Sequence, residues 1–180
     1  MGEWIYRDDD WTPLYRVLPT EPERQHYVDE VERQLETFHS LLGRPPSHLD
    51  SHQHCHRYEP FRSVALEACR RLQPPLREVS SPARYLGDFY GQSREGDSFP
   101  ELVSARALSR LLSELPPGIT ELGCHPAAAL DFNSTYRDER LAELAALCDP
   151  SVADAMKSNH LRLISFHDIA PSQVPFPPAE

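Results

Sequence analysis

Four histidines and one aspartate fall within nine residues of this chain, and all five occupy even-numbered positions. They are His48, Asp50, His52, His54 and His56. Because successive side chains of an extended strand point to opposite faces, an extended conformation would place all five on one face. Imidazole and carboxylate groups bind divalent metals, and imidazole carries protons near neutral pH. The run therefore predicts a metal-binding or proton-transfer site.

The length of this run limits how many of its side chains can serve one metal ion. At about 3.3 Å per residue, the extended segment would span roughly 26 Å. Two or three groups at most can reach one centre, so we expect the others to orient ligands, face substrate or lie in solvent. A solvated histidine-rich loop is the alternative interpretation.

Histidine also follows two later strand-like runs. His125 comes after residues 119–124, and His167 comes after residues 161–166. In α/β barrels the catalytic residues lie at the carboxyl ends of the strands, because the loops that follow the strands meet at that end of the barrel. Histidine at three strand ends is therefore typical of a barrel active site. A buried histidine bonded to the backbone remains the alternative for His125, and the roles of His54, His56 and His167 stay open.

Helices and short strands alternate between these polar positions. The capping box Thr20-Glu21-Pro22-Glu23 opens a first helix that Gly43 ends. Apolar stripes predict four more helices, over residues 61–72, 98–115, 141–148 and 149–159. Apolar runs of strand length cover residues 47–52, 76–79, 86–90, 119–124 and 161–166. The alternation predicts βαβ units with a parallel sheet, whereas the first nineteen residues look like a loop.

Composition excludes several classes of protein. The chain of 180 residues is long enough for one domain, which we place at residues 1–170, with a proline-rich extended tail at 171–180. A net charge of -10 argues against nucleic-acid binding. We find neither a membrane-spanning apolar run nor a signal peptide, and the four scattered cysteines indicate reduced thiols. We therefore expect a cytoplasmic protein that binds no membrane.

Several segments together resemble one protein family. Residues 46–56 resemble the P-T-H-x-D-S-H-x-H-x-H motif of the YdjC-like carbohydrate deacetylases, also called the ChbG/HpnK family. Residues 89–91 and 120–126 are similar to two further family segments, the second of them E-L-x-C-H-P. Tyr136, Arg140, Glu143 and Asp149-Pro150 continue the similarity in the same order. The resemblance extends from about residue 20 to about residue 170.

This resemblance implies an α/β fold, a distorted (β/α) barrel of the glycoside hydrolase/deacetylase type. It also implies one divalent metal ion, Mg²⁺ or Zn²⁺, and hydrolysis of N-acetyl groups on amino-sugar oligosaccharides such as those derived from chitin. His52 stands at the position of a family metal ligand. We expect His125 to be the proton donor or oxyanion partner. Asp50, His54 and His56 are then groups that orient ligands or face the substrate.

The resemblance is incomplete at the N-terminus. The family's other two ligands and its base aspartate come from N-A-D-D-F-G and H-x-x-L-T segments, which have no counterpart before residue 20. No Phe-Gly follows Asp8-Asp9-Asp10, which we interpret as a solvated acidic loop. We therefore expect this chain to form the C-terminal part of the family domain. Its exposed strand edges would then favour homo-oligomers. The alternative function is a truncated, inactive barrel that binds sugar or a partner without hydrolysis.

Overall fold

The computed structural model describes residues 4–7, 10–13, 21–93, 96–130 and 134–169. Within these ranges the chain folds into five α-helices, three short 3₁₀ helices and small sheets. The described residues form two compact units. The first contains residues 4–5, 13, 21–84 and 164–169, and the second contains residues 6–7, 10–12 and the described part of 85–163. None of the described helices is both long and apolar enough to span a bilayer. The predicted tail at 171–180 lies outside the described residues.

Two strands precede the first helix. β1 (Trp4–Arg7) and β2 (Asp10–Pro13) form a two-stranded sheet. The prediction of a loop throughout the first nineteen residues is therefore wrong. Asp10 begins β2, while Asp8 and Asp9 lie outside the described residues. The stretch lacks apolar periodicity, so the pairing of two four-residue strands left no pattern that sequence analysis could detect.

The first unit contains two predicted helices, the first predicted from its capping signals and the second from its apolar face. α1 (Glu21–Leu42) ends at Gly43, whose φ of 65° lies in the left-handed region. α2 (Phe61–Leu72) ends at Gln73, whose N–H donates to the carbonyl of Cys69 at 2.7 Å. Both predicted helices are confirmed, because their capping and apolar signals are local in sequence.

The core of the first unit supports the histidine-rich segment. Leu66, Cys69 and Leu76 are buried together, and Leu49 packs against them. Leu49 forms a parallel bridge with Leu76. The Leu49 N–H donates to the Pro75 carbonyl at 2.9 Å, and its own carbonyl accepts from the Arg77 N–H at 3.0 Å. Residues 47–52 and 76–79 thus share one bridge where two full strands were predicted.

The second unit contains a β-α-β arrangement. β3 (Arg84–Leu86) leads into it and pairs with β4 (Thr120–Leu122), and α3 (Ala105–Ser113) lies between them in sequence. α4 (Asp138–Leu147) and α5 (Pro150–Ser158) follow. Both helices were predicted, and β4 lies within the predicted strand 119–124. The core consists of Phe89, Val103, Leu108, Ala146 and Val152.

Two further predicted strands differ from the structure. The strand predicted at 86–90 lies two residues earlier in the structure, at Arg84–Leu86. Phe89 is outside this strand and is buried in the core. Residues 161–165 form no strand, and a short 3₁₀ helix occupies Phe166–Asp168. Leu163 is 83% exposed, so this apolar run does not pack as a strand would. The described helices and strands form an α/β fold with two two-stranded sheets, and these strands do not form a closed barrel.

The ring of Tyr85 makes an unusually close approach to the main chain beside β4. A Cβ atom added to Gly123 would lie 2.3 Å from the Tyr85 hydroxyl oxygen, and one added to Gly87 would lie 3.0 Å from the Tyr85 ring. A side chain at position 123 would therefore require the ring to move, and one at position 87 would make a tight contact with it. Glycine at 123 therefore allows Tyr85 to cover the segment that leads to His125.

Candidate functional site

The histidine-rich segment folds as a 3₁₀ helix over His52–Arg57, not as an extended strand. Ser51 organises the turn, because its hydroxyl oxygen accepts the His56 N–H at 3.0 Å and its carbonyl accepts the His54 N–H at 3.1 Å. His54 has a left-handed φ of 55°. The predicted strand face that would align all five side chains is therefore absent, since the backbone turns after Ser51.

This turn brings together three of the five predicted groups. One ligand atom each from Asp50, His54 and His56 lies within 4.8 Å of the others, and we call these residues the histidine cluster. His56 Nδ1 lies 3.6 Å from Asp50 Oδ1. Asp50 is exposed, His54 is half-buried and His56 is buried. The cluster is a possible metal-binding triad, and its size agrees with the limit of two or three groups for one centre.

The hydrogen bonds of His56 determine which ring nitrogen can act as a ligand. Nε2 lies 3.0 Å from the Arg77 carbonyl oxygen, which can only accept, so Nε2 carries the proton. Nδ1 then presents its lone pair beside Asp50 and accepts from the Ser51 hydroxyl at 2.7 Å. Burial lowers the pKa of His56, although the Arg77 carbonyl and the Asp50 charge act in the opposite direction. A neutral imidazole held by a backbone carbonyl is the usual state of a metal-binding histidine.

Two charged residues that sequence analysis missed complete the surroundings of the cluster. The Arg77 guanidinium donates to the Asp50 carboxylate, and Glu78 Oε2 lies 3.3 Å from His54 Nδ1. Glu78 has a left-handed φ of 56°, as His54 does, so both facing residues adopt a backbone conformation that costs roughly 1–3 kcal/mol. The available signal was a charged pair directly after Leu76 in a run predicted to be a strand.

The other predicted residues of the first unit lie outside the cluster. His52 is the exposed first residue of the 3₁₀ helix, and its assignment as a metal ligand stays a prediction. The rings of His48 and Phe166 stack with centroids 4.0 Å apart. His167 is exposed, with Nε2 at 3.0 Å from an Arg44 guanidinium nitrogen. Neither contact indicates a catalytic role for His48 or His167.

His125 lies directly after Cys124 at the carboxyl end of β4, in the second unit. It is exposed, so the alternative of a buried histidine is wrong. Its ring lies edge-on to those of Tyr90 and Tyr136, with both pairs of centroids 5.8 Å apart. The two tyrosine rings stack on each other at 4.5 Å with an angle of 2° between their planes. His125 thus occupies an aromatic corner, and its role as a proton donor stays a prediction.

A buried carboxylate lies behind this corner. Glu143 has no exposed surface, and its two oxygens accept from the His125 main-chain N–H and the Tyr136 hydroxyl. The Gly91 N–H donates to the Tyr136 hydroxyl oxygen at 2.9 Å. Burial, and then the hydrogen bond to Glu143, raise the pKa of Tyr136, so the phenol keeps its proton and remains a donor. The sequence marked Tyr136 and Glu143 only as positions of family similarity.

A second carboxylate of α4 is almost as buried. Glu139 Oε1 accepts from the Ser98 hydroxyl at 2.6 Å and from the Gln92 amide at 3.1 Å. Burial would raise the pKa of Glu139, but these and further hydrogen bonds outweigh it and lower the pKa. α4 therefore holds the loop after β3 through Glu139 and the loop after β4 through Glu143.

Comparison with known sequences supports the family resemblance. The sequence model of the YdjC-like protein family matches residues 11–158. A carbohydrate deacetylase of Geobacillus stearothermophilus is 32% identical over 77% of this chain and 58% of its own length. A chitooligosaccharide deacetylase of Yersinia pestis (strain Pestoides F) is 32% identical over 93% of this chain and 67% of its own length. The chain thus spans about three fifths to two thirds of these relatives.

A solved structure shows that the fold is shared as well. The crystal structure of a proposed cellobiose-phosphate cleavage protein of Enterococcus faecalis superposes with a TM-score of 0.66. The match covers 81% of this chain and 60% of that protein at 24% sequence identity, which supports the fold alone. Together with the match of the family model over most of its length, these similarities show that the chain belongs to the YdjC-like protein family.

Proposed function

We propose that the protein is a metal-dependent hydrolase that removes N-acetyl groups from amino-sugar oligosaccharides of the chitooligosaccharide type. Relatives named as carbohydrate and chitooligosaccharide deacetylases support this reaction class. The observation that carries the proposal is the histidine cluster, whose donor atoms lie within 4.8 Å of one another. For the fold, we propose that the described elements are part of a distorted (β/α) barrel.

The ligand types of the cluster suit Zn²⁺ better than Mg²⁺. Two imidazoles and one carboxylate suit Zn²⁺, which binds three protein ligands in catalytic sites and leaves one position open. Mg²⁺ prefers oxygen ligands and keeps several waters. The neutral His56 ring, with Nδ1 beside Asp50, agrees with the first choice. Of the two metals that the family resemblance implies, we therefore propose Zn²⁺.

Each residue around the cluster has a definable task. Asp50, His54 and His56 would hold the ion, which when bound polarises the amide carbonyl and acidifies a water molecule. The Arg77 carbonyl fixes the His56 ring, and the Arg77 guanidinium fixes the Asp50 carboxylate. Glu78 faces His54 Nδ1 and would orient that ring. His52 remains the ligand that the family motif implies, and mutagenesis can separate it from the cluster.

His125 supplies the proton that the leaving amine needs. Amide hydrolysis requires protonation of the departing nitrogen, and imidazole donates protons readily near neutral pH. Its exposure lets a substrate reach the ring. Tyr90 and Tyr136 border the ring edge-on and restrict the directions in which it can turn.

Acetate release tests this proposal. The protein, loaded with Zn²⁺, is incubated with N-acetylglucosamine oligomers, and acetate is measured with and without EDTA. We expect metal-dependent release, and a 10²- to 10⁴-fold lower kcat for His125→Ala with zinc still bound. The matched control is His160→Ala, which removes another exposed histidine of the second unit. A zinc-loaded protein that binds the oligomers but releases no acetate would instead support the sugar-binding alternative.

A further inference from the structure

We propose that Glu143 is a positioning residue that fixes His125 through its main chain. This inference deepens the proposed function, because it rests on His125 as the proton donor. Glu143 is fully buried, and one of its oxygens accepts the N–H of the residue that must meet the substrate. A buried carboxylate is costly unless it is hydrogen-bonded, and here the donors belong to His125 and Tyr136.

α4 holds both sides of the His125 peptide. The His125 N–H donates to Glu143, and its carbonyl accepts from the Arg140 guanidinium at 3.1 Å. Two residues later, the Ala127 N–H donates to the Arg140 carbonyl at 3.2 Å. Loops on protein surfaces are usually more mobile than the elements they connect. This loop is instead fixed at three points to one helix, while the imidazole stays exposed.

The same carboxylate also fixes the aromatic corner around the imidazole. Tyr136 donates to Glu143 and accepts from the Gly91 N–H, and its ring stacks on Tyr90. Arg140 adds a donor to the Tyr136 carbonyl at 2.8 Å and places its guanidinium carbon 5.7 Å from the ring centroid. Glu143 therefore sets the position of His125 and of one ring beside it.

Glu139 provides a matched control on the same helix. It is buried and accepts two hydrogen bonds, as Glu143 does, but its donors are the side chains of Ser98 and Gln92. Replacing either carboxylate by an amide removes one buried charge from α4. Only Glu143→Gln changes a group that is bonded directly to His125.

Amide NMR on the intact chain tests the contact without any assay of activity. An N–H that donates to a carboxylate resonates far downfield, and we expect this for the main-chain N–H of His125. Glu143→Gln should move the signal upfield, whereas Glu139→Gln and Tyr136→Phe should leave it downfield. A wild-type His125 amide signal at an ordinary position would overturn the proposal, even if Glu143→Gln does not fold.

Kinetics of the zinc-loaded protein distinguish positioning from a structural role. We expect Glu143→Gln to lower kcat by roughly 10- to 100-fold with KM within about twofold, because a displaced proton donor slows the chemical step more than binding. If Glu143→Gln loses the downfield amide signal but keeps the wild-type kcat, Glu143 has only a structural role in the core. If the wild type releases no acetate, the proposed function fails, and the amide measurement still decides whether Glu143 holds His125.

Discussion

The histidine cluster of the first unit and the buried Glu143 of the second unit both place acidic groups near histidine, but the acidic groups contact it differently. In the cluster, Asp50 Oδ1 lies 3.6 Å from His56 Nδ1, and beside the cluster Glu78 Oε2 lies 3.3 Å from His54 Nδ1. On α4, Glu143 accepts the main-chain N–H of His125 and leaves the ring exposed. Side-chain contacts can be exchanged for a metal ion, whereas a main-chain contact fixes geometry. The first unit thus contacts histidine through its ring nitrogens, and the second through its main chain.

Burial acts on both regions by favouring neutral side chains. It lowers the pKa of His56 in the cluster and raises the pKa of Tyr136 beside Glu143. The neutral imidazole offers a lone pair to a metal, and the neutral phenol offers a proton to a carboxylate. One physical effect therefore prepares an acceptor in the first unit and a donor in the second.

The largest expected effect is the loss of zinc binding when the cluster loses a ligand. We expect His54→Asn to lower the Zn²⁺ affinity by roughly 10²- to 10³-fold, since structural sites gain about 10–16 kcal/mol from four ligands. Asparagine tolerates the left-handed φ of 55° at this position. Isothermal titration of the purified chain with Zn²⁺ measures the change.

His160→Asn is the matched control for this experiment, because His160 is exposed and has a similar φ of 54°. Its zinc affinity should equal that of the wild type. His52→Ala tests the competing ligand, and we expect a loss below about tenfold if the cluster alone holds the ion. A loss as large as that of His54→Asn would place His52 in the centre and contradict a site made of the cluster alone.

The next effect concerns stability and should appear in the second unit. We expect Glu143→Leu to lower the free energy of unfolding by about 3 kcal/mol, because the His125 N–H and the Tyr136 hydroxyl lose their acceptor. Asp154→Leu is the control, since its ion pair with Lys157 is exposed and should contribute less than about 1 kcal/mol. Urea unfolding gives both values, and equal losses would show that the Glu143 contacts are not special.

The smallest effect is a pH dependence that should belong to the first unit. Burial raises the pKa of Cys69 to about 12, from an ordinary value of 9.0. The unfolded chain therefore loses this proton first, and stability falls as the pH rises above about 9. At pH 10 the loss should be about 1.4 kcal/mol relative to pH 8. Cys69→Ala should remove this part of the dependence in urea unfolding, and identical slopes for both proteins would contradict the assignment.

The helices were predictable because their signals are local. The capping box at Thr20, the glycine at position 43 and the Asp149-Pro150 pair mark helix ends within a few residues of sequence. The Asp149 carboxylate accepts the Ser151 N–H at 2.8 Å, as an N-cap does. Strands depend on partners far along the chain, so only the run around β4 was placed correctly.

The histidine run shows why residue types were predictable while geometry was not. Its composition indicated a site for metal or protons, and three of its groups do come together. The even spacing suggested a strand, but the Ser51 hydroxyl turns the backbone and the Arg77 carbonyl holds His56 from 21 residues away. Arg77 and Glu78 lie beside the cluster because the segments that contain Leu49 and Leu76 pair with each other. No local sequence pattern indicates this long-range pairing.

The close approach of Tyr85 to Gly123 has a consequence for how such sequences can evolve. The Tyr85 ring fills the volume that any side chain at position 123 would need, since an added Cβ would lie 2.3 Å from its hydroxyl oxygen. Positions 85 and 123 therefore cannot drift independently. A lineage that gains alanine at 123 must shorten or turn the residue at 85, so we expect the two positions to covary among descendants of this sequence.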